Sequence, residues 1–580
     1  MWYNVGVRKM NEFFKQCIAF FTRLGYTKLW GIIQIFLGGD WMLYLTRDGL
    51  NDRAEYDKAG ISLPEYDVAE VAAHTAEHPV WVHFGAGNIF RGFIAVLQQS
   101  LLNQGLAKSG IIAAETFDFD IVDKIYRPFD SLALLVGLKP DGGMVNSVVA
   151  SITDAYCACK DRPDELRKLE AIFENPELQM VSFTITEKGY ALEDIHGNFL
   201  PVVVSDMEKG PESAAHAMSV VTALMWKRFN AGAHKIALVS MDNCSHNGEK
   251  LQTSVLTIAK EWEKRGFVSA EFVAYLSDES QVAFPWSMID KITPRPAESV
   301  EKALVELGVA DMAPVVTSRN TYIAPFVNAE IPQYLVVEDK FPNGRPALEK
   351  AGVYMTDRDT VNNTERMKVT TCLNPLHTAL AVYGCVLGYT KIADEMKDGE
   401  LKLLVEKIGY DEGMPVVVDP KILSPRDFIK EVIEERLPNP FIPDMPQRIA
   451  TDTGLKVPIR FGETMKSYLA SDTLKITDLV YIPLAIAGWL RYLMGVYDTG
   501  EPMEISPDPT AAGVQEVLKT VEFGSPASYT GQLKSVLSNK TLFAVDLCEA
   551  GLAERIETMF CEMIAGEGAV RSTLQKYLRA

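Results

Sequence analysis

The chain has 580 residues, 47% hydrophobic and 23% charged, enough for several buried cores. Its 57 Lys and Arg against 77 Asp and Glu leave a formal charge of −20. That balance repels phosphate backbones and anionic lipid, which excludes nucleic acid and acidic membranes as partners. Eight scattered cysteines without a CxxC pair predict reduced thiols in a cytoplasmic protein, and the Cys and His residues do not cluster as metal ligands do.

Residues 1–41 are rich in Phe, Trp and Ile, and Lys15, Arg23 and Lys28 interrupt the apolar runs. No stretch reaches the roughly 18 clean residues of a membrane span, and no small-residue cleavage site follows a compact apolar core. Gly38-Gly39-Asp40 can be encoded as GGA-GGU-GAU, which contains a bacterial ribosome-binding sequence just before Met42. The expectation is a natural start at Met42, with residues 1–41 a non-native extension. The competing reading is a genuine amphipathic extension.

From Pro79 the pattern becomes α/β. Val80–Phe84 is a short apolar run followed by Gly85-Ala86-Gly87, and Gly92–Leu102 has helical spacing. Ile111–Ala114, Gln179–Ile185 and Lys235–Ser240 read as further buried strands, with helices over Asp164–Phe173 and Ser213–Phe229 between them. Alternating strand and helix implies a parallel sheet with helical crossovers. After about residue 350 the strand signals fade. Asn374–Leu387, Pro425–Arg436, Pro483–Tyr497, Gly513–Leu518 and Thr541–Ile564 read as helices. The predicted division is a Rossmann-like dinucleotide-binding domain over 42–345 and a mostly α-helical domain over 346–580.

Gly85-Ala86-Gly87-Asn88-Ile89-Phe90-Arg91-Gly92 follows a strand and opens a helix. There the first Gly makes a tight turn, the second admits the pyrophosphate, and the amides of Asn88, Ile89 and Phe90 lie at a helix N-terminus suited to phosphate. Phe90 occupies the usual third glycine position. Glu115 closes the second strand, with Asp118 just beyond. An acid there is expected to bind the adenosine ribose and favours NAD over NADP.

Three further segments stand out: Ser240–Gly248 (SMDNCSHNG), Phe284–Pro294 (FPWSMIDKITP), and Glu365–Lys368 followed by Asn374-Pro375-Leu376-His377. Together with the glycine loop and Thr184–Tyr190 (TITEKGY), these resemble the mannitol dehydrogenase family from about residue 42 to the C-terminus. The resemblance implies hydride transfer between a nicotinamide and a secondary alcohol without a metal. It gives Lys368 the role of general acid/base. An amine serves if its surroundings lower its pKa from about 10.4 towards working pH.

By the same resemblance, Asn243 and Asn374 hold the developing oxyanion and His377 orients the substrate. Glu365 relays protons, and Asp290, Arg448 and Lys456 contact the substrate. Family spacing puts the lysine five residues before the asparagine, whereas here it is six. Pro375 follows Asn374, itself a good N-cap, so a break or bulge is expected between Lys368 and Asn374. Arg448 suits bidentate carboxylate recognition. Within the family the wording resembles the branch that reduces D-fructuronate to D-mannonate. A tagaturonate reductase, a mannitol dehydrogenase and a nucleotide-binding sensor are the alternatives, and monomer or homo-oligomer is left open.

Overall fold

The computed structural model describes residues 42–579; the expectation for residues 1–41 lies outside them. Six strands form the main sheet: β1 (Trp81–Phe84), β2 (Ile111–Glu115), β3 (Ile152–Cys157), β4 (Met180–Phe183), β5 (Ile236–Ser240) and β6 (Val282–Ala283). Their order is β3-β2-β1-β4-β5-β6, and all pairings are parallel. This is the doubly wound dinucleotide-binding arrangement, whose strand order reverses beside β1 and opens a crevice at the strand ends. β1, β2, β4 and β5 are buried on both faces, which is why they read as continuous apolar runs rather than alternating ones. Val82, Phe84, Val181 and Leu238 feed the core on one face of the sheet, and Trp81, Ala113, Met180 and Val239 feed the other.

The crossovers include α1 (Ala95–Asn103), α2 (Pro163–Glu174), α3 (Ala217–Asn230) and α4 (Asn247–Lys264). The helix expected over Gly92–Leu102 opens with a π-turn, Phe90–Ile94, before α1. Besides a short pair, Val315–Val316 with Tyr322–Ile323, two smaller sheets flank this unit and escape the sequence reading. One pairs the hairpin Ala133–Leu138/Met144–Val149 with a distant strand. The other lies beside the crevice. Their strands include β7 (Ser287–Asp290), β8 (Phe326–Glu330), β9 (Tyr334–Glu338) and β10 (Tyr354–Thr356). β8 is the distant partner of the hairpin, while β7, β9 and β10 form the sheet beside the crevice.

Beyond Thr356 the described chain is helical. α5 (Arg358–Met367) leads into a π-turn, Lys368–Cys372, and then α6 (Asn374–Val386). Pro425–Glu431 likewise runs into a π-turn, Val432–Arg436. α7 (Thr453–Arg460) and α8 (Tyr481–Tyr492) follow. α6 and α8 pack closely: the Tyr383 hydroxyl donates to the Leu484 carbonyl at 2.7 Å, and its ring covers Gly488. The helix expected to start at Pro483 starts at Tyr481. The Glu412 carboxylate accepts the amides of Val480, Tyr481 and Ile482, so the proline falls where no N–H is needed. The helix expected over Thr541–Ile564 is two pieces, Lys540–Phe543 and α9 (Ala553–Met563). The chain turns between them through left-handed conformations at Ala544 and Gly551.

Candidate active site

The glycine loop sits at the C-terminal edge of β1, at the strand-order reversal. Gly85 has φ +101°, and a β-carbon there would collide with the Thr184 carbonyl, so only glycine fits. At Gly87 a β-carbon would meet nothing within 4 Å. Among the described residues the amides of Gly87, Asn88 and Ile89 find no protein acceptor. Open space beside free amides at a helix start suits a pyrophosphate. Gly92, rather than residue 90, provides the close helix packing: a β-carbon there would lie 2.8 Å from Val327 Cγ1 of β8. Arg91 is buried beneath the loop, donating to Asn88 Oδ1 and to the Ala324 carbonyl, each at 2.8 Å.

Glu115 is turned onto the backbone around it. One carboxylate oxygen accepts the Ala86 amide at 2.9 Å, and the other accepts the amides of Thr116, Phe117 and Asp118. The turn after β2 leaves these amides without ladder partners, so the acid is spent on the backbone and braces the glycine loop. Asp118 is buried too and accepts from the Thr317 hydroxyl at 2.6 Å. Both expected ribose ligands are therefore engaged inside the protein.

Lys368, 3% exposed, begins the π-turn after α5. Its Nζ donates to Asn243 Oδ1 at 2.9 Å and to the Ile289 carbonyl at 3.1 Å, and lies 3.7 Å from Asp290 Oδ1. An ammonium only donates, so Asn243 turns its oxygen to Lys368, and among the described residues its amide N–H groups meet no protein acceptor. The π-turn absorbs the extra residue between Lys368 and Asn374: the Leu373 amide reaches back to the Lys368 carbonyl at 3.1 Å. The expected irregularity is thus a widened turn that breaks at Leu373. Asn374 is the first residue of α6 rather than its cap, and its side chain makes no cap hydrogen bond. Glu365, one turn before Lys368, accepts from the Ser245 hydroxyl and lines a cavity of about 600 Å³.

Asp290 has a partner that sequence gave no hint of. Arg436, from the helical domain, binds it through two nitrogens at 2.5 and 3.2 Å and binds Glu330 of β8 at 3.1 and 3.0 Å. All three are buried. Burial pushes the Asp290 carboxyl up, but Lys368 and Arg436 outweigh it and hold it below the usual range. Buried charge must be paired, and Arg436 and Lys368 do this for Asp290. Nearby, the Tyr334 hydroxyl of β9 donates to Glu431 at 2.9 Å, a second tie between the domains.

A second polar cluster joins His377 of α6, Lys456 of α7 and, from the segment before α7, Asp444 and Arg448. His377 Nε2 is 3.3 Å from Asp444, which also pairs with Arg448. Burial raises the Asp444 carboxyl, but His377 and Arg448 prevail and hold it low. The Arg448 side chain is 63% exposed. Lys456 points its ammonium at the carbonyls of Ile449 and Thr451. Burial, with the like charges of Arg460 and Arg448, pulls Lys456 below the ordinary lysine range.

Two family models cover most of the chain: the Mannitol dehydrogenase Rossmann domain matches residues 80–350 and the Mannitol dehydrogenase C-terminal domain matches 360–564. The chain belongs to the mannitol dehydrogenase family. D-mannonate oxidoreductase of Thermotoga maritima is 53% identical over 534 residues, 92% of this chain and 98% of that one. Among solved structures, a substrate-free D-sorbitol dehydrogenase aligns with TM-score 0.73 at 26% identity, covering 89% of this chain and 98% of its own. Pseudomonas fluorescens mannitol 2-dehydrogenase, in a ternary complex with NAD and D-mannitol, aligns with TM-score 0.64 at 26% identity, covering 90% and 97%. As a member of this family the chain is a dehydrogenase/reductase acting on CH–OH groups. No helix among its described residues is long and apolar enough to cross a membrane.

Proposed function

We propose that this chain is a cytoplasmic NAD-dependent enzyme interconverting D-fructuronate and D-mannonate, with Lys368 as general acid/base and no metal. The observation that carries the reading is the Lys368–Asn243 contact at 2.9 Å in the crevice between the domains, in a chain 53% identical to a D-mannonate oxidoreductase. The free amides at Gly87, Asn88 and Ile89 would hold the cofactor pyrophosphate. When bound, the cofactor supplies or accepts the hydride at the reacting carbon.

The protein's own groups handle the proton and the charge. In reduction the Lys368 ammonium gives a proton to the oxygen as the carbonyl becomes an alcohol; in oxidation the neutral amine removes it. The Asn243 amide, oriented by Lys368, donates to the oxygen while negative charge grows there, and Asn374 at the start of α6 is its partner in that role. Glu365, through Ser245 and the adjoining cavity, exchanges the proton with solvent. His377 orients the substrate chain. Asp290 serves by holding Lys368 in place.

The test follows NADH absorbance with D-fructuronate, D-tagaturonate and D-fructose in parallel. Oxidation with fructuronate alone is the expected result. Oxidation with tagaturonate alone or fructose alone would replace the substrate assignment. Silence with all three despite NADH binding would overturn it.

The surroundings of Lys456 add a pH dependence. A lysine held below its usual value of about 10.4 loses its charge earlier as pH rises. Its ammonium ties the Ile449 and Thr451 carbonyls beside Arg448, so losing that charge loosens this segment for either substrate. The KM for fructuronate and the KM for fructose therefore rise together on the alkaline side in steady-state kinetics, and curves that stay flat there would count against it.

A further inference from the structure

The sugar acid and the neutral ketose differ at the end of the chain remote from the reacting carbonyl, where one has a carboxylate and the other a hydroxymethyl group. Something in the crevice must recognise that anion. The two cations singled out by sequence are both engaged: Arg448 is paired with Asp444 and largely exposed, and the Lys456 ammonium is directed at backbone carbonyls.

A third cation is not. Arg460 ends α7, one turn beyond Lys456, and extends towards the start of α6. Its Nη1 donates to the Thr378 hydroxyl at 2.5 Å and lies 3.5 Å from the Asn374 carbonyl. Thr378 is buried and follows His377. Among the described residues no carboxylate lies within ion-pair distance of Arg460, and its Nε and Nη2 find no protein acceptor.

The acids that flank this region are taken. Asp444 serves His377 and Arg448, and Glu463 serves Arg366 and Lys466. Asp508 accepts the Gly454 amide at 2.7 Å and bonds Thr510. In a chain of net charge −20, a half-buried guanidinium without a counter-ion beside Asn374 and His377 has no structural reason to be left unpaired. A ligand carboxylate would complete it, and the fork of a guanidinium matches two carboxylate oxygens.

We propose that Arg460 binds the substrate's carboxylate and sets the preference of this site for a sugar acid over a neutral ketose. This rests on the sugar-acid reading above, and the experiment separates the two. Arg460→Gln and Arg460→Lys are compared with wild type on fructuronate and fructose. D-mannonate binding in the presence of NAD is measured by calorimetry, which needs no turnover.

Arg460→Gln raises the fructuronate KM and weakens mannonate binding about 10²-fold. Its kcat changes little, and fructose kinetics are unchanged or improved. Arg460→Lys recovers part of the loss, because the charge returns without the fork. Equal losses on both substrates would reveal a structural role, and unchanged mannonate binding would return the carboxylate to Arg448 or Lys456; either result overturns the proposal. If wild type reduces fructose and binds mannonate no better than Arg460→Gln does, the sugar-acid reading and this assignment fall together. If mannonate binding depends on Arg460 while another sugar acid is the one turned over, only the identity of the substrate changes.

Discussion

Lys368→Ala lowers kcat for mannonate oxidation by about 10²–10⁴-fold, the range associated with removing a positioned acid/base, and leaves NADH affinity as it was. The argument is local. Lys368 is 3% exposed, and its donors go to Asn243 and the Ile289 carbonyl. None of these contacts lies on the glycine loop. The removed amine also leaves Asn243 free to rotate its amide, so part of the loss appears in the stabilisation of the oxyanion as well as in proton transfer. Stopped-flow turnover beside fluorescence titration of NADH separates the loss of chemistry from any change in cofactor binding. A variant that keeps wild-type turnover would remove Lys368 from the chemistry.

Gly87→Val weakens NADH binding by about 10²-fold or more while leaving the melting temperature unchanged. A side chain at Gly87 enters space that no protein atom occupies within 4 Å, so folding does not oppose it. The same space lies in front of the unpaired amides. Losing two hydrogen bonds to a charged phosphate, each contributing about 1.5–3 kcal/mol, corresponds to a loss of about that size. Gly85→Ala behaves in the opposite way. Its positive φ and its contact with the Thr184 carbonyl make it a folding defect, visible as a lower melting temperature before any cofactor is added. Calorimetry of both variants, with and without NADH, distinguishes them; unaltered NADH affinity in Gly87→Val would place the pyrophosphate elsewhere.

The parts of this molecule that sequence made legible are those whose chemistry is local. The main strands announce themselves because both their faces are buried, and the glycine loop because one residue must take positive φ. Asn243 and Lys368 are 125 residues apart, yet each sits in a motif dense enough to suggest their meeting, and the structure joins them at 2.9 Å. Glu115 shows the limit: the acid stands at the right place, but four backbone amides that no residue pattern reveals turn it inward. Arg436 and Glu330 were invisible because a buried ion pair between elements 106 residues apart leaves no periodicity. The hairpin at Ala133–Val149 escaped for a related reason, since its pairing with β8 is long-range. Arg460 could have been found by asking which cations near the motif lack an acid, a question that only coordinates answer.

The Arg436 contacts also bear on how the two domains are set together. Parting the two domains would separate Arg436 from Asp290 and Glu330 and return all three charges to water, so the triad contributes little net holding energy. Its effect is on alignment. A guanidinium fork that meets two carboxylates accepts one relative placement of the elements that carry them. That placement is the one in which Lys368 reaches Asn243.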